Sequence, residues 1–304
     1  MNDRYILLTA AKNEEEYIGK ALESVARQTV LPLAWIIVDD GSTDRTAEVI
    51  RQFIPRCPFI RLESSSLRSA RRSFGSKDKA INAAYALAKT LDFDYVGVQD
   101  ADIAPERNDY YELIISHFRR RQSLGIAGGS IHERTNGIWR ARKGNSADSV
   151  AGGIQMFRRT CYEQIGGYTP LDYGGEDWLS QLEAKMAGWE TLACQDCAIF
   201  HYRPTSSAGG KLRGAFRAGL MDASFGSHPL FEIVKCGRRL TASPWLIGSG
   251  LRFTGYLWWR LCRRSSLIAP EKTAFLRKEQ LAKLRSWARP WSERAEVGTT
   301  RSVG

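Results

Sequence analysis

The sequence predicts an α/β protein, a single mixed, mostly parallel sheet flanked by helices, followed by a C-terminal helical extension. Three observations carry that expectation. Short apolar runs alternate with helix-period segments across the first 204 residues. Polar and acidic residues gather where those runs end, which is where open α/β sheets collect ligands. The charge is also divided: residues 205–304 hold 18 Lys+Arg against 6 Asp+Glu, which leaves 26 against 27 in residues 1–204. The expected parts are therefore a catalytic domain over 1–204, a basic, Trp-rich helical extension over 205–287 and a disordered tail over 288–304.

Each element follows from a local pattern. Tyr5–Ala10 reads as a buried strand, and Glu14–Gln28 as a helix with Ile18, Leu22 and Val25 on one face. Trp35–Val38 is a second strand, and Gly41-Ser42-Thr43-Asp44 turns the chain into a helix ending near Phe53. Phe59–Leu62 is a third strand. Glu63–Ser76, rich in Ser and Arg, reads as a mobile loop. Lys77–Thr90 is a helix and Tyr95–Val98 a fourth strand that runs into Gln99-Asp100. Further strands are expected near 125–130, 153–157, 189–192 and 198–202, with a helix near 176–187. Residues 211–287 read as helical.

Composition narrows the class. At 43% hydrophobic and 25% charged residues, the chain can bury a core. No apolar run reaches the roughly 18 residues of a membrane span, and the N-terminus has no basic-then-apolar leader. The six cysteines are expected as reduced thiols, and the expected compartment is the cytoplasm. Cys194, Cys197 and His201 have a zinc-like spacing but lack a fourth ligand.

Three polar clusters end the strands: Lys12-Asn13-Glu14, Asp39-Asp40 and Asp100-Ala101-Asp102. Two carboxylates separated by one small residue repel unless a cation or proton intervenes, so a hard, oxygen-liganded metal explains the last cluster. A helix cap is the alternative for Asp102. Alone, this three-residue pattern is short and common.

In order and spacing, Thr9–Glu15, Ile37–Asp44 and Gln99–Asp102 together resemble family-2 glycosyltransferases of the A-type fold, a Rossmann-like nucleotide-diphospho-sugar transferase fold. Lys77-Asp78-Lys79-Ala80-Ile81-Asn82, Gly153–Phe157, Ile165–Tyr168 and Gly175-Glu176-Asp177-Trp178-Leu179 extend the resemblance across residues 5–204. It implies that Thr9, Ala11, Glu14 and Asp40 contact the nucleoside, and that Asp100 holds the ribose or the metal's water shell. Lys77 neutralises the diphosphate, with Lys79 equally placed in the sequence. Asp102 and His201 hold Mg2+ or Mn2+. The resemblance also implies Asp177 as the catalytic base, with Glu176 and Trp178 at the acceptor. The expected reaction is inverting transfer from a nucleotide sugar, by resemblance a UDP-sugar, to a hydroxyl of a saccharide or lipid-linked acceptor in polysaccharide biosynthesis. A Q-x-x-R-W motif is missing after Asp177, where the chain reads His201-Tyr202-Arg203-Pro204, so single addition is favoured over polymerisation.

Other readings remain beside this one. A polyprenyl-phosphate glycosyl transferase shares the N-terminal motifs, and a nucleic-acid binder would use the basic end, although no zinc-finger or helix-turn-helix signature stands there. A non-catalytic sugar-nucleotide binder would not need Asp40, Asp102 and Asp177 together. In Ser243–Arg264, tryptophans and arginines interleave. That pattern suits peripheral contact with an anionic membrane on its cytoplasmic face, or rings packed on the catalytic domain or in a dimer.

Overall fold

The computed structural model describes residues 3–65, 74–135, 137–142, 147, 149–171, 173–203, 210–241, 245–262 and 265–288. The chain divides into two compact units, Met1–Ser207 and Ala208–Gly304. Most of the Ser/Arg-rich loop and nearly all of the expected C-terminal tail lie outside the described residues.

Unit 1 is built on one sheet. Its strands are β1 (Tyr5–Ala11), β2 (Ala34–Asp39), β3 (Ile60–Ser64), β4 (Tyr95–Gln99), β5 (Ile103–Pro105), β6 (Leu124–Thr135), β7 (Ile138–Ala141), β8 (Ile154–Arg158) and β9 (Glu190–His201). The order is β3-β2-β1-β4-β8-β6-β9-β5, with β7 paired to β6. β1 runs parallel to β2 and β4, whereas β8 is antiparallel to β4 and β6. The central strands are apolar without alternation because both faces are covered. Tyr5, Leu7, Trp35, Ile37 and Tyr95 enter one core with α1 (Ile18–Ala26) and α4 (Tyr110–Arg120). Ile6, Leu8, Ile36, Val38 and Val96 enter a second core with α3 (Phe74–Ala88). The remaining helices of unit 1 are α2 (Thr46–Phe53), α5 (Arg159–Ile165) and α6 (Glu176–Met186).

Several elements depart from the sequence expectation. The helix expected from Glu14 opens at Ile18, because residues 14–17 form a turn whose N–H groups serve the neighbouring loop. Glu14 N–H donates to Thr46 Oγ1 at 2.7 Å and Glu15 N–H to Asp44 Oδ2 at 3.1 Å. Asn13 sits at φ 53 and its Oδ1 accepts from Thr43 N–H, a left-handed conformation that asparagine tolerates. The two strands expected at 189–192 and 198–202 are one strand, β9, whose pairing with β6 slips between Gly129 and Ser130. β5, β7, α4 and α5 were not expected.

One connection shapes the sheet. β4 and β5 are four strand spacings apart, roughly 19 Å if the sheet were flat. The chain from Gln99 to Ile103 reaches at most about 14 Å. The sheet must therefore curl, and the curl carries the end of β9 back toward the tip of β4.

Unit 2 consists of α7 (Lys211–Ser224), α8 (Pro229–Gly237), α9 (Ile247–Cys262) and α10 (Pro270–Ala288). α7 and α9 approach backbone to backbone. A Cβ on Gly219 would lie 1.9 Å from the Arg252 carbonyl oxygen, and one on Gly255 2.2 Å from that of Phe216. All six cysteines are free, and Cys194 and Cys197 pack in the first core of unit 1.

Gly128 on β6 allows the same close approach beside the site. A Cβ there would meet the Ile154 carbonyl oxygen and Val150 Cγ1, each at 2.4 Å. Gly128→Ala is expected to destabilise unit 1 by about 1–3 kcal/mol, read as a lower melting temperature in calorimetry.

Candidate functional site

Three adjacent strands, β2, β1 and β4, deliver the polar clusters to one edge of the sheet. Asp40 follows β2, is buried, and donates its backbone N–H to Ala11 O. Lys12 Nζ stands 3.7 Å from its carboxylate. Thr9 is fully buried within β1, and its hydroxyl donates to Gln99 O at 2.7 Å and accepts from Trp35 Nε1 at 2.9 Å. That hydroxyl is committed inside the sheet, and Ala11 is also buried.

Asp100 and Asp102 occupy the short link between β4 and β5. Asp100 N–H donates to Gly153 O, and Tyr202 N–H donates to Asp102 O at 3.0 Å, which ties the link to both β8 and β9. The two carboxylates have different partners. Asp100 Oδ1 takes the Lys77 ammonium at 2.7 Å. Asp102 Oδ2 faces His201 Nε2 at 3.6 Å and Arg203 Nε at 3.7 Å. Burial pushes the Asp102 carboxyl up, but His201, Arg203 and Lys77 more than offset it and the net shift is downward. Burial likewise pushes His201 down, and the facing Asp102 turns the net shift upward.

Lys77 joins the halves of the site. Its ammonium also lies 3.8 Å from Glu176 Oε1, at the start of α6. Burial disfavours the charge, yet Asp100 and Glu176 hold the ammonium well above the usual lysine range. Lys79, equally placed in the sequence, is exposed. Glu176 and Asp177 are both raised by burial, and Lys77 opposes the rise in each. Trp178 is partly exposed in the same first turn.

Asp177 is held through its backbone. Its carbonyl accepts from Gln155 Nε2 at 3.2 Å, Ser180 Oγ at 2.9 Å and Gln181 Nε2 at 2.8 Å. Gln155 is fixed in turn by the Tyr168 hydroxyl at 2.5 Å. The side chain packs on Gly152, where an added Cβ would come within 2.5 Å of Asp177 Oδ2. Gly153, the next residue, contacts Asp100 from the other end of the same backbone stretch.

The model of glycosyl transferase family 2 matches residues 7–172. The chain belongs to that family. Among its relatives are the beta-monoglucosyldiacylglycerol synthase of Synechocystis sp., 35% identical over 199 residues, covering 62% of this chain and 38% of the relative. The chondroitin synthase of Pasteurella multocida is 34% identical over 114 residues, 38% of this chain and 11% of the relative. The chain thus spans well under half the length of either relative. Solved structures of similar fold include the mannosyltransferase PcManGT from Pyrobaculum calidifontis in complex with GDP-Man and Mn2+, at TM-score 0.57 and 16% identity, covering 93% of this chain and 82% of that one. The S. aureus TarS structure in complex with UDP-GlcNAc has TM-score 0.54 and 16% identity, covering 72% and 65%. The fold is the A-type glycosyltransferase fold.

Two groups in this family-2 site were not singled out in the sequence. Arg203 Nη2 reaches the buried Glu14 Oε2 at 2.5 Å while its Nε approaches Asp102, so one guanidinium ties the loop after β1 to the end of β9. Glu133 Oε1 lies 3.5 Å from His201 Nδ1, a buried nitrogen with no hydrogen-bond partner among the described residues. An imidazole with a carboxylate behind it and a second carboxylate in front is the ordinary surrounding of a metal-binding histidine. Among the described residues no group of three or more His, Cys, Asp or Glu could hold a metal alone. Asp102 and His201 offer one carboxylate oxygen and one imidazole nitrogen, a donor pair whose chemistry suits a divalent cation.

Asp78 is fully buried near Lys77, Glu176 and Asp177, with its Oδ2 accepting from Leu171 N–H. Burial, helped by Glu176, pushes its carboxyl up to about 8. A folded value above the ordinary one near 4 means stability that is complete at low pH and is lost as pH rises toward 8. Asp78→Asn keeps an acceptor for Leu171 and removes the titration. Its gain in melting temperature over the parent is expected to be larger near pH 8.5 than near pH 5.

Proposed function

We propose that the chain transfers a sugar from a nucleotide-diphospho-sugar, a UDP-sugar, to a hydroxyl of a saccharide or lipid-linked acceptor, with inversion. The observation that carries this reading is the placement of Asp177 and Asp100 at the two ends of one short backbone stretch, Gly152-Gly153, with Lys77 reaching Asp100 and Glu176. One carboxylate cluster serves the leaving group and the other the attacking group.

The nucleoside lies on the loops after β1 and β2, where Asp40 accepts from the base and Glu14 and Ala11 shape the floor. Thr9, fully buried, ties β1 to β4 beneath these loops through its hydroxyl bond to Gln99 O. Asp100 holds the ribose, and Lys77 faces the diphosphate. Asp102 and His201 would hold Mg2+ or Mn2+, which would supply Lewis-acid stabilisation of the departing diphosphate; the imidazole favours Mn2+. Two of the solved neighbours are complexes with Mn2+, which supports this choice.

Asp177 takes the proton of the acceptor hydroxyl. Its raised carboxyl makes it a stronger base than an exposed aspartate, and a base opposite the leaving group gives inversion. Glu176 and Trp178 contact acceptor hydroxyls. The relatives named for a diacylglycerol glucoside and for chondroitin support a lipid or saccharide acceptor.

Asp177→Asn is expected to lower kcat by at least about 100-fold while leaving donor binding within about twofold. Steady-state kinetics and calorimetric titration with the donor read the two effects. Full activity in this variant would remove Asp177 as the base, and a phosphate acceptor would not need it. In a thermal-shift panel, UDP-sugars are expected to stabilise the parent more with Mn2+ than without, and Asp102→Asn is expected to erase that difference.

A further inference from the structure

Unit 2 leaves large apolar side chains in solvent, concentrated on α9 and the residues just before it. Trp245 is 74% exposed, Trp258 59% and Leu261 77%, with Leu246, Ile247 and Leu257 beside them. Along α9, positions 247, 250, 254, 257, 258 and 261 are all exposed, recur at helical spacing and carry no charge.

The buried side of α9 explains why. In the sequence, Arg252 breaks the apolar run. In the fold it turns inward, where Nε meets Glu232 Oε1 at 3.0 Å and Nη2 bonds Asp222. Lys235 Nζ joins the same Asp222 at 3.0 Å. Glu232 is fully buried, so these pairs fix how α9 is rotated. Tyr256 and Trp259 also point inward, at 2% and 3% exposure. The aromatic residues are thus divided: one pair belongs to the core of unit 2, and Trp245 and Trp258 face out.

An apolar stripe of this kind marks an interaction surface. Its surroundings are basic. Arg238 and Arg239 are exposed at the end of α8, Arg260 stands beside Tyr256 on α9, and residues 205–304 carry 18 Lys+Arg against 6 Asp+Glu. A second copy would bring like charges together. Nucleobases stack on exposed Trp rings but leave Leu246, Ile247, Leu257 and Leu261 without an apolar partner. Anionic lipid satisfies both features, since rings settle at the headgroup level and cations meet the phosphates. No described helix is long and apolar enough to cross a membrane, so the helix would lie in the plane.

We propose that α9 and Trp245–Ile247 form a monotopic docking surface for an anionic bilayer. The full chain, mixed with phosphatidylcholine vesicles with or without phosphatidylglycerol at low salt, is expected to float with the anionic vesicles and to shift its Trp emission to shorter wavelength. The W258E/L261E double variant, altered only at exposed positions, is expected to keep its melting temperature and to float at least about tenfold less. Leu31→Glu, on unit 1, is expected to float like the parent. The idea is overturned if the parent stays in the dense fraction, or if the double variant floats equally well. It is equally overturned if light scattering shows a dimer that the double variant dissolves.

Discussion

The chain leaves β4 at Gln99 and enters β5 at Ile103, although β8, β6 and β9 stand between those strands in the sheet. So short a link cannot cross a flat sheet, and the curl it enforces brings β9 beside β4. His201 and Arg203 then face Asp102 although the sequence separates them by about a hundred residues. Side chains alternate along β9, so Phe200 and Tyr202 point the other way and pack with Trp139. The aspartates are therefore structural before they are chemical: the short link that carries them closes the sheet that supplies their partners.

Electrostatics then organise the interior of the site around one ammonium. Asp100, Glu176, Asp177 and Asp78 crowd a region with little water, and Lys77 is the cation that opposes each of the raised carboxyls there. Arg142 also opposes the rise at Asp177, but Lys77 is shared by all three, so removing its charge would weaken the compensation of several carboxylates at once, a larger penalty than losing one surface ion pair. The polar groups behind Asp177 complement this. Gln155, Ser180 and Gln181 all grip its backbone carbonyl, and the Trp178 backbone N–H bonds its carboxylate.

Much of this was legible in the sequence because it is local. β1, β2 and β4 announce themselves as continuous apolar runs, and the acidic residues at their ends follow directly. α4 carries an equally clear stripe, Tyr110, Tyr111, Ile114, Ile115 and Phe118, at helical spacing. β5 had no local signal, because a strand of three residues exists only through its pairing with Ile199–His201. Arg203 and Glu133 were hidden for the same reason, since only the β6–β9 pairing places them around His201. Burial separates Lys77 from Lys79, and it also withdraws the Thr9 hydroxyl into the sheet, which no spacing rule reveals.

The pairing order has a consequence for how the protein comes into being. β9 inserts between β6 and β5, and β5 has no other partner among the described strands. A growing chain can therefore fold β1 to β4 early, but it must hold β5 and the Asp100–Asp102 link open until residues 199–203 have been made. Long-range closure of this kind is slow compared with local pairing. Competence to bind a ligand at this edge thus arrives late, with the last strand, and a ribosome stalled before that point would carry a nascent domain with most of its core and no working site.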